Sequence, residues 1–206
     1  MARRGSSSRW LQRQQSDRFV KQRDQQGYRS RAAYKLAELA TRDQLIRPAD
    51  RVLDLGASPG GWTQVAVEMA GPRGRVTALD LLPIEPIPGA HCIIGDCRDA
   101  AIRAELAAHL AGQGLDLVMS DMAPNITGVA AVDEAGMLDL AHMTLDISRQ
   151  FLRPGGSLLM KLFQFADTAA ILDEVAALFA LVARRKPAAS RAQSREFYVV
   201  AKRYGI

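Results

Sequence analysis

The sequence predicts an α/β fold: an open, mostly parallel sheet of seven strands, helices on both faces, and a final antiparallel hairpin. Three observations carry this. Short apolar runs alternate along the chain with amphipathic ones, the pattern of repeated strand–helix units. Several runs, such as "LDLVMS" and "SLLMKLF", are apolar without alternating, as strands buried on both faces should be. The last two runs are separated only by a segment around "PAASRAQS", too short for a crossover helix, so they should pair antiparallel near a sheet edge.

Taken in order, residues 1–27 are rich in Arg, Gln and Ser with few apolar positions, and read as a basic arm that is mobile or conditionally ordered. Residues 28–206 then form one domain of a size that holds a proper core. From Ser30, "SRAAYKLAELATRDQLI" sets Ala33, Leu36, Leu39 and Ala40 on one helical face, with Ser30 as the expected N-cap. Strands are expected at 51–55, 75–80, 91–94, 115–120, 156–161, 181–186 and 196–202. Helices are expected near 62–70, 99–111, 134–151 and 166–179. No internal repeat is present.

Bulk composition narrows the class. Hydrophobic residues make up 48% and charged residues 24%, as in a soluble globular protein. No apolar run is long enough to span a bilayer, and the basic amino terminus lacks the apolar stretch of a secretory signal. Two cysteines, Cys92 and Cys97, are too few for a disulfide framework, which fits a reducing cytoplasm. His91, Cys92 and Cys97 lack the spacing and the fourth ligand of a metal site, so no metal is expected. Charge is uneven. Residues 1–35 carry ten lysines and arginines against Asp17 and Asp24, while the remainder carries seventeen against twenty acids. A basic arm on a near-neutral body suits a phosphate backbone, and equally a solvated tail.

The stretch "VLDLGASPGGW" runs from a strand into a glycine turn. Its glycines, Gly56, Gly60 and Gly61, do not have the G-x-G-x-x-G spacing of a dinucleotide site. Asp54 lies two residues before the first of them, where a carboxylate would repel a pyrophosphate but attract a ligand carrying a sulfonium and an ammonium. Asp80 ends the next strand, where an acid can hold ribose hydroxyls, and Asp96 in "GDCRD" follows the third, where it can meet an adenine amino group. Gly56 and Gly60 let the backbone approach closely. The set predicts S-adenosyl-L-methionine as ligand.

Four ionisable residues stand out beyond that turn. Asp121 opens "DMAPN" after a strand; Lys161 ends the apolar run "GSLLMK"; Lys35 lies on the first helix; and Glu196 begins the last strand. A lysine finishing so apolar a run is placed to take a proton from a weakly acidic hydroxyl. Each of the four, alone, equally reads as a surface charge or an ion pair, and spacing does not prove that they converge. Residue by residue, the reading ends at a methyl-transferring enzyme acting on something polyanionic.

The segments "SRWLQRQQSDRFV", "SRAAYKL", "DLGASPGGWTQ", "DLLPIEPIPG", "GDCRD", "VMSDMAPNITG", "LRPGGSLLMKLFQ" and "RKPAASRAQSREFYVVA" together resemble the FtsJ/RrmJ-type (RlmE family) ribosomal RNA ribose 2′-O-methyltransferases, in order and over nearly the whole chain. The resemblance implies a Rossmann-like methyltransferase fold and a Lys-Asp-Lys-Glu tetrad at Lys35, Asp121, Lys161 and Glu196. It implies contacts to the methyl donor from Gly60, Trp62, Asp80, Asp96 and Asp121. It further implies a uridine ribose in the A-loop of 23S rRNA as target, within the large (50S) subunit. Ser58 stands where alanine is common, and Cys97 where an aromatic is common; neither belongs to the tetrad.

RNA binding is expected from the arm and from Arg29, Arg31, Arg184, Arg185, Lys186, Arg191 and Arg195, with Tyr28 as an aromatic to stack on bases, Phe19 rather as an anchor of the arm to the body, and Trp10 open to either role. The protein is expected to act as a monomer in the cytoplasm. The rival reading is a ribosome-assembly factor that keeps the fold without catalysis; an intact tetrad beside an intact donor site argues against it. A small-molecule methyltransferase would be expected to add a lid, and an NAD oxidoreductase to carry the missing fingerprint.

Overall fold

The computed structural model describes residues 27–165, 167–191 and 193–205; the predicted basic arm, with Trp10 and Phe19, lies outside them. In chain order the elements are α1 (Ala32–Asp43), β1 (Arg51–Leu55), α2 (Gly61–Ala70), β2 (Arg75–Asp80), β3 (Ala90–Ile94), α3 (Ala100–Leu110), β4 (Leu115–Ser120), α4 (Ala130–Phe151), β5 (Leu152–Phe163), α5 (Thr168–Leu178), β6 (Phe179–Arg185) and β7 (Glu196–Tyr204). The seven strands form one sheet in the order β3-β2-β1-β4-β5-β7-β6. All neighbours are parallel except β7, which runs antiparallel to both β5 and β6. The predicted hairpin is therefore present, with β6 at the edge and β7 slotted inside it.

Alternation along the strands sorts the core into two layers. Val52, Val76, Leu117, Met119, Leu159, Tyr198 and Val200 face α1 and α2, where Leu36, Leu39, Trp62 and Val65 meet them. Leu53, Leu55, Val118, Leu158, Met160 and Val199 face α3, α4 and α5, against Leu106, Leu145, Ile147, Ile171 and Val175. Leu36 and Leu39, at most 1% exposed, each contribute about 1.5–3 kcal/mol of burial free energy, which fixes the helix that carries Lys35. On β5 and β7 the same alternation has a consequence for chemistry: Lys161 and Tyr198 are direct register partners, and Phe163 stands opposite Glu196.

One expected detail is corrected. Ser30 does not cap the first helix; the N-cap position is Arg31, already helical at φ −64° and ψ −17°, with no side-chain capping bond. The Ser30 hydroxyl is packed against the start of α2 instead, where a Cβ built on Gly61 would come within 2.2 Å of it. Predicted strand and helix boundaries otherwise differ from the observed ones by a few residues, most at β5, which begins at Leu152 because its register with β4 shifts between the Leu115 and Leu117 pairings.

Candidate active site

Two adjoining features occupy the carboxyl edge of the parallel strands, where open α/β sheets place their ligands. The first is a cavity of about 650 Å³. Gly56, Asp80, Asp96 and Asp121 line it, together with Leu81, Leu82, Cys97 and Arg98. Gly56 is required there twice over: its φ is +72°, and a Cβ would sit 2.2 Å from the Met122 side chain. The Asp80 carboxylate accepts hydrogen bonds from the Ser58 and Leu82 amides, both at 2.8 Å, and so fixes the turns on either side of its strand. Asp96 is held by Arg98 through its main-chain amide and guanidinium, contacts that keep its carboxyl below the usual range. Arg98 reaches on to Asp139 of α4 at 3.2 Å. Cys97, 4% exposed, has its thiol pushed up to about 11 by burial and by the neighbouring Asp96 charge, so it is an inert wall.

Three residues expected at the donor are not among those lining the cavity. Asp54 is 1% exposed and lies beneath the glycine turn, its carboxylate accepting from the Thr63 hydroxyl at 2.7 Å. The reason is alternation: Val52 and Asp54 point toward α2, away from the strand's carboxyl edge. The Trp62 indole is buried and donates to the Ala32 carbonyl at 2.8 Å. Gly60 is the N-cap of α2, at φ +108°.

Burial, the largest cause, pushes the Asp54 carboxyl up to about 7; the Asp121 and Asp80 charges add to the rise, and the Thr63 hydrogen bond opposes it. A carboxyl still protonated in the fold where the unfolded chain has ionised makes stability fall as pH rises, from the ordinary aspartate range up to about 7. Asp54→Asn keeps an oxygen for Thr63 and removes this slope. The expected result is a melting temperature that gains on the wild type between about pH 5 and about pH 8; the same difference at both pH values would contradict it.

The second feature is a polar chain that joins all four tetrad candidates. Lys161, on β5, donates to the Asp121 main-chain carbonyl and stands 3.1 Å from its Oδ1. Tyr198 donates to the same Oδ1 at 2.6 Å. Lys35 donates to the Tyr198 oxygen at 3.0 Å and pairs with Glu196 at 2.7 Å. Lys35 and Lys161 are 8% and 7% exposed, so both amines sit out of bulk water. Burial raises the Glu196 carboxyl, but the Lys35 charge and hydrogen bond, with the Lys161 charge, outweigh it and hold the group below the usual glutamate range. Burial, together with the Asp121 and Glu196 charges, drives the Tyr198 phenol strongly upward, so it keeps its proton and remains a donor to Asp121.

Tyr198 was not singled out from sequence. The available signal was its position two residues after Glu196 on a strand, which puts both side chains on one face. Among the cations expected to face RNA, several have internal partners. Arg29 donates to the carbonyls of Pro59, Glu85 and Pro86, tying the 81–89 loop to the glycine turn. Arg31 donates to Ala189, Arg185 forks onto Asp43, and Lys186 donates to Ser194. Arg184 lies 5.2 Å over the Phe197 ring. Arg191 and Arg195 are exposed. The Tyr28 hydroxyl donates to Glu68 at 2.7 Å, which anchors it to α2. His91 stacks on His109 with ring centroids 3.9 Å apart.

The sequence model of the FtsJ-like methyltransferases matches residues 28–204, which covers every residue of the cavity and the polar chain. The chain belongs to that family. Among curated relatives of this FtsJ-like protein, the ribosomal RNA large subunit methyltransferase E of Alkalilimnicola ehrlichii is 48% identical over 204 residues, 99% of this chain and 98% of the relative. The protein of the same description from Marinobacter nauticus is 47% identical over 206 residues, 100% of both chains. A crystal structure of a protein assigned as a ribosomal RNA methyltransferase from Plasmodium falciparum superposes with a TM-score of 0.77 at 28% identity, covering 86% of this chain and 98% of that one. Fibrillarin from Aeropyrum pernix, solved with natively bound S-adenosyl-L-methionine, shares the fold at a TM-score of 0.55 and 21% identity, covering 82% and 75%. Among the described residues of the FtsJ-like chain, no helix is long and apolar enough to cross a membrane.

Proposed function

We propose that this chain transfers a methyl group from S-adenosyl-L-methionine to the ribose 2′-hydroxyl of a uridine in the A-loop of 23S rRNA, as a monomer acting in the cytoplasm on the large ribosomal subunit. The observation that carries the reading is the unbroken chain from Lys161 through Asp121 and Tyr198 to Lys35 and Glu196, set against a cavity walled by Asp80, Asp96 and Asp121. Its relatives are large-subunit rRNA methyltransferases at almost half identity over their full length, which favours the same substrate class here.

The cavity suits the donor chemically. Asp80 and Asp96 offer carboxylate oxygens for hydroxyl and amino hydrogens, and Gly56 leaves the space a Cβ would fill. Bound there, the donor supplies an electrophilic methyl group on a sulfonium. Lys161 acts on the acceptor: in its neutral form an amine has two N–H groups and one lone pair. The Asp121 carbonyl and carboxylate accept the two hydrogens, which leaves the lone pair for the proton of the 2′-hydroxyl. Tyr198 orients Asp121, and Lys35 with Glu196 braces Tyr198 from behind. Much of the rate gain comes from holding the acceptor oxygen in line with the methyl carbon.

Labelled donor incubated with large subunits from a strain lacking this activity tests the reading. Label should reach large subunits, not small ones. After digestion it should appear as 2′-O-methyluridine, whose ribose resists alkaline cleavage. Label on a nucleobase would overturn the ribose assignment. Salt-sensitive subunit binding without label would favour the assembly-factor reading instead.

A further inference from the structure

Just past the tetrad, the same three chain segments build a second concavity. Each contributes one residue to the tetrad and at least one to this site. On β5, Lys161 is followed two positions on by Phe163, with Phe165 beyond; on β7, Glu196 is preceded by Arg195; after β4, Asp121 leads into the loop that carries Ile126. The cavity measures about 290 Å³. The β5–β7 ladder fixes its place: Phe163 stands opposite Glu196, two rungs from the Lys161–Tyr198 pair, and the Gln164 amide donates to the Arg195 carbonyl at 3.0 Å. Two rungs correspond to roughly 7 Å along the strand.

Its lining is apolar with a cation at the edge. The Phe163 and Phe165 rings are perpendicular, centroids 6.0 Å apart. Ile126, 62% exposed, presents an aliphatic side chain to the opening. Its loop is held shut by Asp133, whose carboxylate accepts from the Thr127 amide at 2.7 Å, the Thr127 hydroxyl at 2.8 Å and the Gly128 amide at 3.1 Å. Those three donors occupy the one carboxylate in the cavity. Arg195 is exposed at its rim.

We propose that this cavity receives the base of a nucleotide adjacent to the acceptor ribose, packed on Phe163, Phe165 and Ile126, while Arg195 meets its phosphate. The proposal rests on the ribose 2′-O reading above. Single-stranded RNA is held by aromatic stacking beside cationic groups, and this is such a combination. Continuity makes RNA the favoured occupant over a protein loop: a polynucleotide whose ribose reaches Lys161 must lay its neighbouring nucleotide within a few ångströms. Stacking on rings and an aliphatic chain tolerates any base, so the subsite sets affinity and the angle of the strand rather than base identity.

Phe165→Ala, Ile126→Ser and Arg195→Ala test this, all outside the polar chain. In steady-state methyl transfer to unmodified large subunits, KM for the subunit should rise about tenfold for Phe165→Ala and less for the other two. The turnover number and the affinity for donor should stay within about twofold. Phe165→Ala, which also trims packing against the core, should melt lower than the wild type, whereas the exposed Ile126→Ser and Arg195→Ala should melt with it. A benzophenone side chain introduced at Ile126 should cross-link to rRNA within a nucleotide or two of the methylated ribose. An active wild type whose KM is unchanged in all three variants overturns the subsite while leaving the methyltransferase reading intact. So does a cross-link to a ribosomal protein. A wild type that transfers no label to subunits removes both.

Discussion

Lys161→Ala should lower the single-turnover rate of methyl transfer to large subunits by about 10²–10⁴-fold, with donor affinity changed by no more than a few-fold. Lys161 is the one tetrad residue whose nitrogen meets both the main chain and the carboxylate of Asp121, at the edge of the donor cavity. Alanine removes the amine proposed above as the proton acceptor but leaves Asp80 and Asp96 on the cavity wall. Lys161→Arg should not rescue the rate, because a guanidinium stays protonated at any working pH and has no lone pair to offer. A rate within tenfold of wild type, or rescue by arginine, would show that the lysine serves only as a positive charge.

Lys35→Met should cost about 3–5 kcal/mol of stability, the usual penalty for leaving a buried charge without its partner. Lys35 and Glu196 have side chains 10% and 12% exposed, and their contact is 2.7 Å. In a domain of this size the loss corresponds to a fall of roughly 10 °C in melting temperature. The cost should be largest near neutral pH and shrink in acid. Without Lys35, the charge and hydrogen bond that do most to hold the Glu196 carboxyl down are gone, so it protonates earlier as pH falls and the unpaired charge disappears. Lys35→Met combined with Glu196→Gln should recover most of the stability, since removing both charges costs far less than removing one. It should not recover the rate, because the brace behind Tyr198 is still missing. Thermal melts of the two single variants and the double variant, each with a rate measurement, check this; a double variant as unstable as Lys35→Met would contradict it.

The inner strands were legible because their buried runs do not alternate, and the hairpin because its loop leaves no room for a helix. The tetrad positions were legible one by one, as a lysine closing an apolar run and acids at strand ends. Their convergence was not, since it depends on β7 being inserted between β5 and β6, which brings Glu196 and Tyr198 beside Lys161. Tyr198 itself was hidden: an aromatic in "EFYVVA" reads as core, and it is core, 0% exposed, while also linking the two lysines. The surroundings of Asp54 were hidden for the opposite reason. A carboxylate before a glycine turn suggests a ligand, but strand alternation turned it toward Thr63. The internal partners of the cations were equally illegible. Arg29 and Arg185 add to the positive total, yet in the fold one ties down a loop and the other locks onto Asp43. No local pattern tells a bridging arginine from an RNA-facing one.

Nucleotide-resolution mapping of the methyl group on large subunits, with wild type and Lys161→Ala side by side, tests the central claim most directly. The account predicts one methylated ribose, a uridine in the A-loop, with wild type, and none with Lys161→Ala despite equal subunit binding. Methylation of a base, or the same ribose methylated at an undiminished rate by Lys161→Ala, would contradict it.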